Sequence, residues 1–218
     1  MFEKRQFRIA RLWSNKEIKR FAPLFEGEIV NVSAWDDRDK QGGYYHDYFI
    51  KRSNYYLTNY YGVRGYQGKE NEYILDLTED LPEDLIKRFD VVFNHTTLEH
   101  IFDVKKAFKN LCSLSRDVVM IVVPFSQVQH ETSSFKDYWR FTPTCLRSLF
   151  EENGFEIIYT SSNADKNAAV YIFCIASCNP DSWKPLLPEV NLNKVVGECI
   201  GSNILSKIFS ALQRRRGL

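Results

Sequence analysis

The residues best placed for chemistry follow short apolar runs, where those runs break into polar side chains. Asp76 ends one run, and Asn94 and His95 end the next. His130 follows a third run, residues 117–125, after a few polar residues. Carboxylates and amides bind hydroxyls and amines, and a neutral histidine can accept a proton near pH 7. These residues predict a binding and proton-transfer site if the fold brings the ends of the runs together.

The chain alternates strand and helix patterns, which predicts a mostly parallel sheet with helices on both faces. The run 117–125 is apolar without interruption, which is typical of a strand buried on both faces. Ligands of such sheets bind at the carboxyl ends of the strands, where connections diverge to opposite faces. We therefore expect an α/β fold. The predicted strands cover residues 28–34, 55–59, 72–77, 89–97, 117–125, 155–160 and 169–177.

Helix boundaries are predicted from capping residues and from apolar side chains at helical spacing. Threonine followed by proline is a strong helix start, and glycine is a strong stop. Four helical segments are expected: one that Ser14 caps and that runs through Phe25, a short one over residues 44–53, one that Asp103 caps and that extends to Leu114, and one between Thr142 and Gly154.

The composition is that of a globular protein rather than a disordered or membrane protein, with 44% apolar and 26% charged residues among 218. The net charge is +1, so no general attraction to nucleic acid is expected. The chain shows no apolar signal-peptide core and no stretch near the ~20 apolar residues of a membrane span. The five cysteines are expected to be reduced and buried, and the protein to be cytoplasmic.

Residues 1–178 are predicted to form one domain, which begins with a helical segment over residues 1–26. Residues 179–218 are predicted to form a helical tail with apolar residues at helical spacing and an arginine-rich end at 214–216. One interpretation is an amphipathic helix that contacts a membrane or a partner. The other is a helix docked on the domain with its basic end in solvent. The second is favoured because Gly197 and Gly201 weaken an isolated helix.

Other common sites find little support in the sequence. The stretch HTTLEH, residues 95–100, differs from the H-E-x-x-H pattern of zinc proteases, so no catalytic metal is expected. The sequence contains neither G-x-G-x-x-G nor G-x-x-x-x-G-K-[ST], the glycine-rich motifs of other nucleotide-binding sheets.

Two longer segments carry a family resemblance. FDVVFNHTTLEHIFDVKKAFKNL, from residue 89, and DYWRFTPTCLRSLFEENGF, from residue 137, resemble the class I S-adenosylmethionine-dependent methyltransferases. More narrowly, they are similar to the group that combines LEH with a later DYWRFT-like segment. The resemblance covers residues 27–177. It implies a Rossmann-like, doubly wound sheet of seven strands with the last strand antiparallel, and a cofactor, S-adenosylmethionine, across the ends of the first four strands.

The resemblance also assigns roles to individual residues. It places a histidine after the fifth strand, where His130 stands, and a neutral histidine there is our candidate for the catalytic base. Glu99 and His100 lie at the entry to a helix, so we expect their role to be structural. The cofactor would contact Asn31, Ser33, Ala34 and Trp35 after the first strand, Asn59 after the second, Asp76 and Leu77 after the third, and Asn94 and His95 after the fourth. The acceptor would contact Asp137, Tyr138, Trp139 and Arg140. The alternative is structural: His130 braces its loop, Asp137 and Arg140 pair with each other or with the following helix, and Trp139 and Phe141 belong to the core.

Three positions depart from the family pattern. Trp35 stands in the first loop where glycine lets the backbone approach the cofactor and adopt positive φ. Asn59 replaces the acid that accepts the ribose hydroxyls, which removes the charge-assisted part of those hydrogen bonds. The glycine-rich turn before the fifth strand is replaced by residues 115–117.

The function that this resemblance implies is methyl transfer to a small-molecule or glycan acceptor. Relatives of the DYWRFT type are frequent among surface-polysaccharide and natural-product enzymes, so we expect the methyl acceptor to be a sugar hydroxyl. The sequence leaves open whether the chain forms a homodimer, and nucleic acid is not expected as a partner. Two alternatives remain: a non-catalytic subunit that keeps the fold and binds a partner, and another nucleotide-using enzyme on a similar sheet.

Overall fold

The computed structural model describes residues 2–62, 65–126, 129, 131–163 and 170–188, with side chains from residue 9 onward. Seven strands form one sheet in the order β3-β2-β1-β4-β5-β7-β6. The first five run parallel, and β7 is antiparallel to both β5 and β6. The predicted fold is therefore confirmed. The strands are β1 (Glu26–Val32), β2 (Lys51–Asn59), β3 (Glu72–Ile74), β4 (Phe89–His95), β5 (Ser115–Ser126), β6 (Glu156–Ser162) and β7 (Val170–Ser177).

The strand order creates a crevice at the carboxyl end of β1. This strand pairs with β2 on one side and with β4 on the other, so the chain crosses over it between β3 and β4. Val32 lies level with Thr58 and with Asn94. The residues that follow these three strands therefore emerge side by side at one edge of the sheet, which is where ligands of such folds bind.

Helices cover both faces of the sheet, and β5 shows why its sequence is apolar throughout. Val119, Ile121 and Val123 point to one core, while Val118 and Met120 point to the other. The first core also contains buried residues of α2 (Val104–Ser113) and α3 (Pro143–Glu152), and the second contains those of α1 (Phe2–Phe21). Alternate side chains of a strand face opposite sides, so a strand between two helical layers must be apolar at every position.

The predicted caps of α2 and α3 are present. Asp103 Oδ1 accepts a hydrogen bond from the N–H of Lys106 at 3.2 Å, and Thr142 Oγ1 accepts one from the N–H of Cys145 at 3.1 Å. Gly154 follows α3 with a φ of 78°, the left-handed conformation that ends helices.

Two helix predictions were wrong in their bounds. Ser14 lies inside α1, because the preceding residues are mostly good helix formers and extend the helix back to Phe2. The helix continues to Phe21 and is followed by a 3-10 turn, Ala22–Leu24. The short helix predicted over residues 44–53 is a single 3-10 turn, Tyr45–Tyr48. Its second half belongs to β2, which begins at Lys51 because it pairs with β1 from there.

The cysteine prediction holds in part. Cys112 and Cys174 are buried, whereas Cys145 and Cys178 are exposed, and all four are free thiols. Cys145 is exposed because it lies on the outer side of the first turn of α3, and Cys178 because it follows the end of β7. Cys199 lies outside the described residues.

The end of the described chain returns to the sheet. A short helix, α4 (Pro180–Trp183), follows β7, and the ring of Trp183 packs on Phe25 with centroids 4.9 Å apart. The rest of the predicted tail, from residue 189, lies outside the described residues. Within the part of the chain that is described, no helix is both long and apolar enough to cross a membrane.

Candidate functional site

A large cavity, about 1170 Å³ in volume, opens at the carboxyl edge of the parallel strands. Its wall comes from the residues after β1 to β4, from α1, from β7 and from the segment before α3. The lining residues are Arg11, Leu12, Ser33, Trp35, Lys40, Gln41, Asn59, Tyr60, Leu75, Asp76, Leu77, Thr78, Thr96, Thr97, Glu99, His100, Ile101, Phe102, Thr132, Ser134, Phe135, Tyr138 and Tyr171. The cavity therefore lies where the sequence predicted a site.

The loop after β1 keeps a left-handed backbone at alternate positions without any glycine. Ser33, Trp35 and Asp37 have φ values of 57°, 51° and 63°. Each such residue costs roughly 1–2 kcal/mol unless it is glycine, so the surrounding structure must hold the loop in place. The carboxylate of Asp37 does part of this, because it accepts hydrogen bonds from Asn31 Nδ2 at 2.8 Å and from Tyr55 Oη at 2.8 Å.

Asn59 supports the same loop. Its Oδ1 accepts the N–H of Trp35 at 2.7 Å, and its Nδ2 donates to the carbonyl of Trp35 at 3.0 Å and to Glu72 Oε1 at 2.6 Å. Burial alone would raise the pKa of Glu72, but the hydrogen bonds from Asn59 and from nearby N–H groups lower it. Asn59 borders the cavity, yet its amide is engaged in holding the wall.

Trp35 lies at the cavity and is partly open to solvent. It lines the wall and is 39% exposed. Asp76 and Leu77, on the loop after β3, also line the cavity. Asp76 Oδ1 accepts hydrogen bonds from the N–H and the hydroxyl of Thr78, both at 2.8 Å. Its Oδ2 makes no hydrogen bond to the described residues and is available to a ligand.

Three predicted cofactor contacts lie behind the wall rather than on it. Asn31 is buried and donates to Asp37, and Asn94 is buried and donates from Nδ2 to the carbonyl of Val32 at 2.8 Å. His95 packs beneath α1. Ala34 lies in the loop but does not line the cavity. The cofactor roles given to these residues stay predictions.

His95 is held neutral by its surroundings. Burial and the charges of Arg11 and Lys40 lower the pKa of this imidazole well below its usual value. Arg11 donates to His95 Nδ1 at 2.7 Å, and the opposite ring nitrogen lies 2.9 Å from the hydroxyl of Ser14. The His95 ring therefore links the end of β4 to Arg11 and Ser14 of α1.

Arg11 is a cavity residue that the sequence patterns did not indicate. Its guanidinium donates to Thr96 Oγ1 at 2.9 Å and to Tyr45 Oη at 3.1 Å while it lines the cavity. Nothing in the local sequence marks it, because its position depends on how α1 crosses the end of β4.

Glu99 was expected to have a structural role, and it is also one of the residues that line the cavity. Its backbone carbonyl does support the neighbouring segment, since it accepts the N–H of Tyr138 at 2.8 Å. The carboxyl group is 1% exposed, and burial raises its pKa to about 8. Its Oε2 has no hydrogen-bond partner in the described structure. His100 also lines the cavity, and its Nδ1 donates to the carbonyl of Lys136 at 2.6 Å.

The predicted acceptor segment divides into a supporting pair and an exposed aromatic edge. Arg140 donates to both carboxylate oxygens of Asp137 at 2.6 Å, so the two residues pair as the structural alternative predicted. Tyr138 lines the cavity, and Trp139 donates from Nε1 to the carbonyl of Ile101 at 2.9 Å. The ring of Phe102, 72% exposed, packs edge-on against Tyr138, with the ring centroids 5.3 Å apart.

His130 lies outside the described residues, so its catalytic role stays a prediction.

Among the residues that the structure describes, no three histidine, cysteine, aspartate or glutamate side chains cluster as a metal site would require.

No family model matches the sequence, and no curated protein matches it.

Several solved structures share the fold at low sequence identity. The magnesium protoporphyrin IX methyltransferase of Synechocystis PCC 6803, with bound S-adenosylmethionine, matches with a TM-score of 0.56 and 12% identity over 81% of this chain and 83% of that chain. The partner of the Trm112 methyltransferase activator in a Haloferax volcanii complex matches with a TM-score of 0.59 and 12% identity, over 78% and 90%.

A third structure shows that the fold also serves other chemistry. A [4+2]-cyclase matches with a TM-score of 0.53 and 10% identity over 76% of this chain and 81% of that chain. The similarity therefore establishes the architecture, and the activity must be argued from the site. The chain has the fold of the class I S-adenosylmethionine-dependent methyltransferases.

Proposed function

We propose that the chain is a methyltransferase that uses S-adenosylmethionine to methylate a small molecule or a glycan. The observation that carries the proposal is the cavity at the carboxyl ends of β1, β2 and β4, with the carboxylate of Asp76 on its wall. A cavity of about 1170 Å³ is larger than the ~300–1,000 Å³ of most ligand pockets, which suits a cofactor and an acceptor together.

The charges on the wall suit the two ends of the cofactor. Asp76 Oδ2 can accept a hydrogen bond from the adenine amine, and Leu77 supplies apolar surface beside it. Arg11 offers a guanidinium to the carboxylate of the methionine part, a strong charge-assisted pair. Asn59 cannot supply the usual acid for the ribose, so we expect weaker affinity than an acidic residue would give.

The acceptor is expected at the aromatic edge formed by Phe102 and Tyr138. Both rings are exposed, and Tyr138 lines the cavity. Aromatic faces bind the apolar faces of other rings, so a sugar ring with a reactive hydroxyl fits this edge. The protein's part in methyl transfer is then to align that hydroxyl with the methyl group and to remove its proton.

A second candidate function is a non-catalytic subunit that keeps the fold and binds a protein partner. The favouring observation is Asn59, whose amide holds Trp35 and Glu72 instead of facing a ribose. One structural neighbour is itself bound to an activator protein. Cofactor binding separates the two candidates.

The test is calorimetric titration with S-adenosylmethionine and S-adenosylhomocysteine, on the wild type and on Asp76→Ala and Trp35→Gly. Asp80→Ala is the matched control, because Asp80 is fully exposed and does not line the cavity. Binding that Asp76→Ala weakens at least about tenfold, with Asp80→Ala unchanged, supports the methyltransferase. No binding by any variant overturns it, and binding gained only in Trp35→Gly favours the non-catalytic subunit.

A further inference from the structure

Glu99 is a buried carboxyl group beside the cavity, and one of its two oxygens has no hydrogen bond. Its Oε2 has no partner among the described residues, and its Oε1 lies 3.8 Å from His100 Nε2, beyond hydrogen-bond distance. Leaving a buried polar atom unpaired costs about 1–3 kcal/mol, so such an atom invites a functional explanation. Glu99 is also among the residues that line the cavity.

The groups that face Glu99 come from four parts of the fold. Arg11 faces it from α1, Tyr171 from β7, and His100 from its own turn, while Asp137 and Arg140 face it from the segment before α3. Asp137 and Arg140 neutralise each other through their paired hydrogen bonds. Burial outweighs the hydrogen bond from the backbone N–H of Glu99 and the attraction of Arg11, and it raises the pKa of Glu99 to about 8, so the group is mostly protonated at pH 7.

The location of Glu99 relates it to the charge of the cofactor, and this step rests on the proposed function. Thr96 and Thr97, which follow β4, and Arg11 share the cavity wall with Glu99. The methionine end of S-adenosylmethionine, with its sulfonium cation, is expected there. A cation close to a buried carboxyl group favours the ionised form. S-adenosylhomocysteine has a neutral sulfur and lacks this effect.

We propose that Glu99 is the catalytic base of the reaction, and that entry of the cationic cofactor ionises it. Binding of S-adenosylmethionine releases the Glu99 proton to solvent. The acceptor oxygen then forms a bond to the methyl carbon while the carbon–sulfur bond breaks, its electron pair stays on sulfur, and the acceptor's proton passes to the Glu99 carboxylate. The products are the methyl ether and neutral S-adenosylhomocysteine, and Glu99 is again protonated.

This cycle makes the base available when a reactive methyl group is present. Without the cofactor, the carboxyl group is neutral and stable in its buried position. With the sulfonium in place, the carboxylate has a counter-charge and an acceptor proton to take. Replacing the product by a new cofactor releases the proton again.

The test is the number of protons released on binding, obtained by titrating the protein at pH 7 in phosphate, HEPES and Tris buffers. The dependence of the measured heat on the ionisation enthalpy of the buffer gives that number. The two ligands carry the same amino and carboxylate groups, so their difference reports the sulfonium. We expect S-adenosylmethionine to release up to about one proton more than S-adenosylhomocysteine, because Glu99 changes from mostly protonated to ionised.

Two variants test whether the proton released on binding comes from Glu99. Glu99→Gln should abolish the difference between the ligands, and Glu152→Gln, which removes an exposed carboxylate of α3, should preserve it. Equal proton release with both ligands in the wild type overturns the inference while leaving the proposed function intact. Failure of both ligands to bind overturns the proposed function, and the inference with it. The wild-type comparison decides even if Glu99→Gln does not fold.

Discussion

Asn59 holds the backbone of Trp35 with both ends of its amide, through the N–H at 2.7 Å and the carbonyl at 3.0 Å. The same Nδ2 also reaches Glu72 Oε1 at 2.6 Å. The residue that replaces the ribose-binding acid of the family pattern is therefore the residue that fixes the altered first loop. These two departures in the sequence are one structural arrangement.

Restoring an acid at position 59 should therefore damage the site rather than repair it. Asn59→Asp keeps an acceptor for the N–H of Trp35, but it loses the donor to Trp35 and brings a second carboxylate against Glu72. We expect a loss of about 1–3 kcal/mol in the free energy of unfolding, measured with urea. The double variant Asn59→Asp/Glu72→Gln should recover part of it, with Glu72→Gln alone completing the cycle. An unchanged Asn59→Asp would mean that the Asn59–Glu72 contact contributes nothing.

Trp35→Gly should cost little stability, although it removes a large side chain. The φ of 51° is unfavourable for tryptophan and free for glycine, so relief of roughly 1–2 kcal/mol of backbone strain offsets the missing packing of the ring. Ala34→Gly is the control, since Ala34 is not among the positive-φ residues and glycine there should destabilise by about 0.5–1 kcal/mol. Thermal unfolding of both variants checks this, and a large loss of stability in Trp35→Gly alone would show that its ring, rather than its backbone, holds the loop.

The alternation of strands and helices and the edge of the sheet that carries the cavity were predictable from patterns along the chain. The apolar run of β5 and the capped helices indicate an α/β sheet. The doubly wound form with seven strands was implied by the family resemblance that the LEH and DYWRFT-like segments carry. Asp76 was found because it ends a run of apolar residues at the carboxyl edge. These are local signals, and the fold follows them closely.

The parts that were missed depend on contacts between distant segments. Arg11 reaches the cavity because α1 crosses the end of β4, a relationship that no spacing in the sequence records. Asn94 has the residue type of a ligand contact, yet it points to the carbonyl of Val32 and lies behind the wall. Glu99 shows the reverse, since its place at a turn suggested a structural role and it is one of the residues that line the cavity.

The pair formed by Asp137 and Arg140 should be among the strongest polar contacts for stability. Asp137 is fully buried, so Arg140→Met would leave its charge without its bidentate partner. Removing one partner of a buried pair typically costs about 3–5 kcal/mol, and the partial exposure of Arg140 should place this case near 3 kcal/mol. Lys105→Met, in an exposed pair with Glu152, is the control and should change stability by less than about 0.5 kcal/mol. Similar urea midpoints for the two variants would contradict the prediction.

The raised pKa of Glu99 should also appear as a dependence of stability on pH. The group titrates near 8 in the folded state and near its ordinary value of 4.5 when unfolded, so between these values the folded state binds more protons. Stability from this group therefore decreases as pH rises, by up to about 1.4 kcal/mol per pH unit. Glu99→Gln should remove that decrease, and urea unfolding at pH 5.5, 6.5 and 7.5 measures it. His95, whose pKa is lowered, contributes the opposite trend below its usual pKa, but it is present in both proteins and cancels in the comparison. Parallel pH profiles for the two proteins would show that Glu99 is ionised in the folded state.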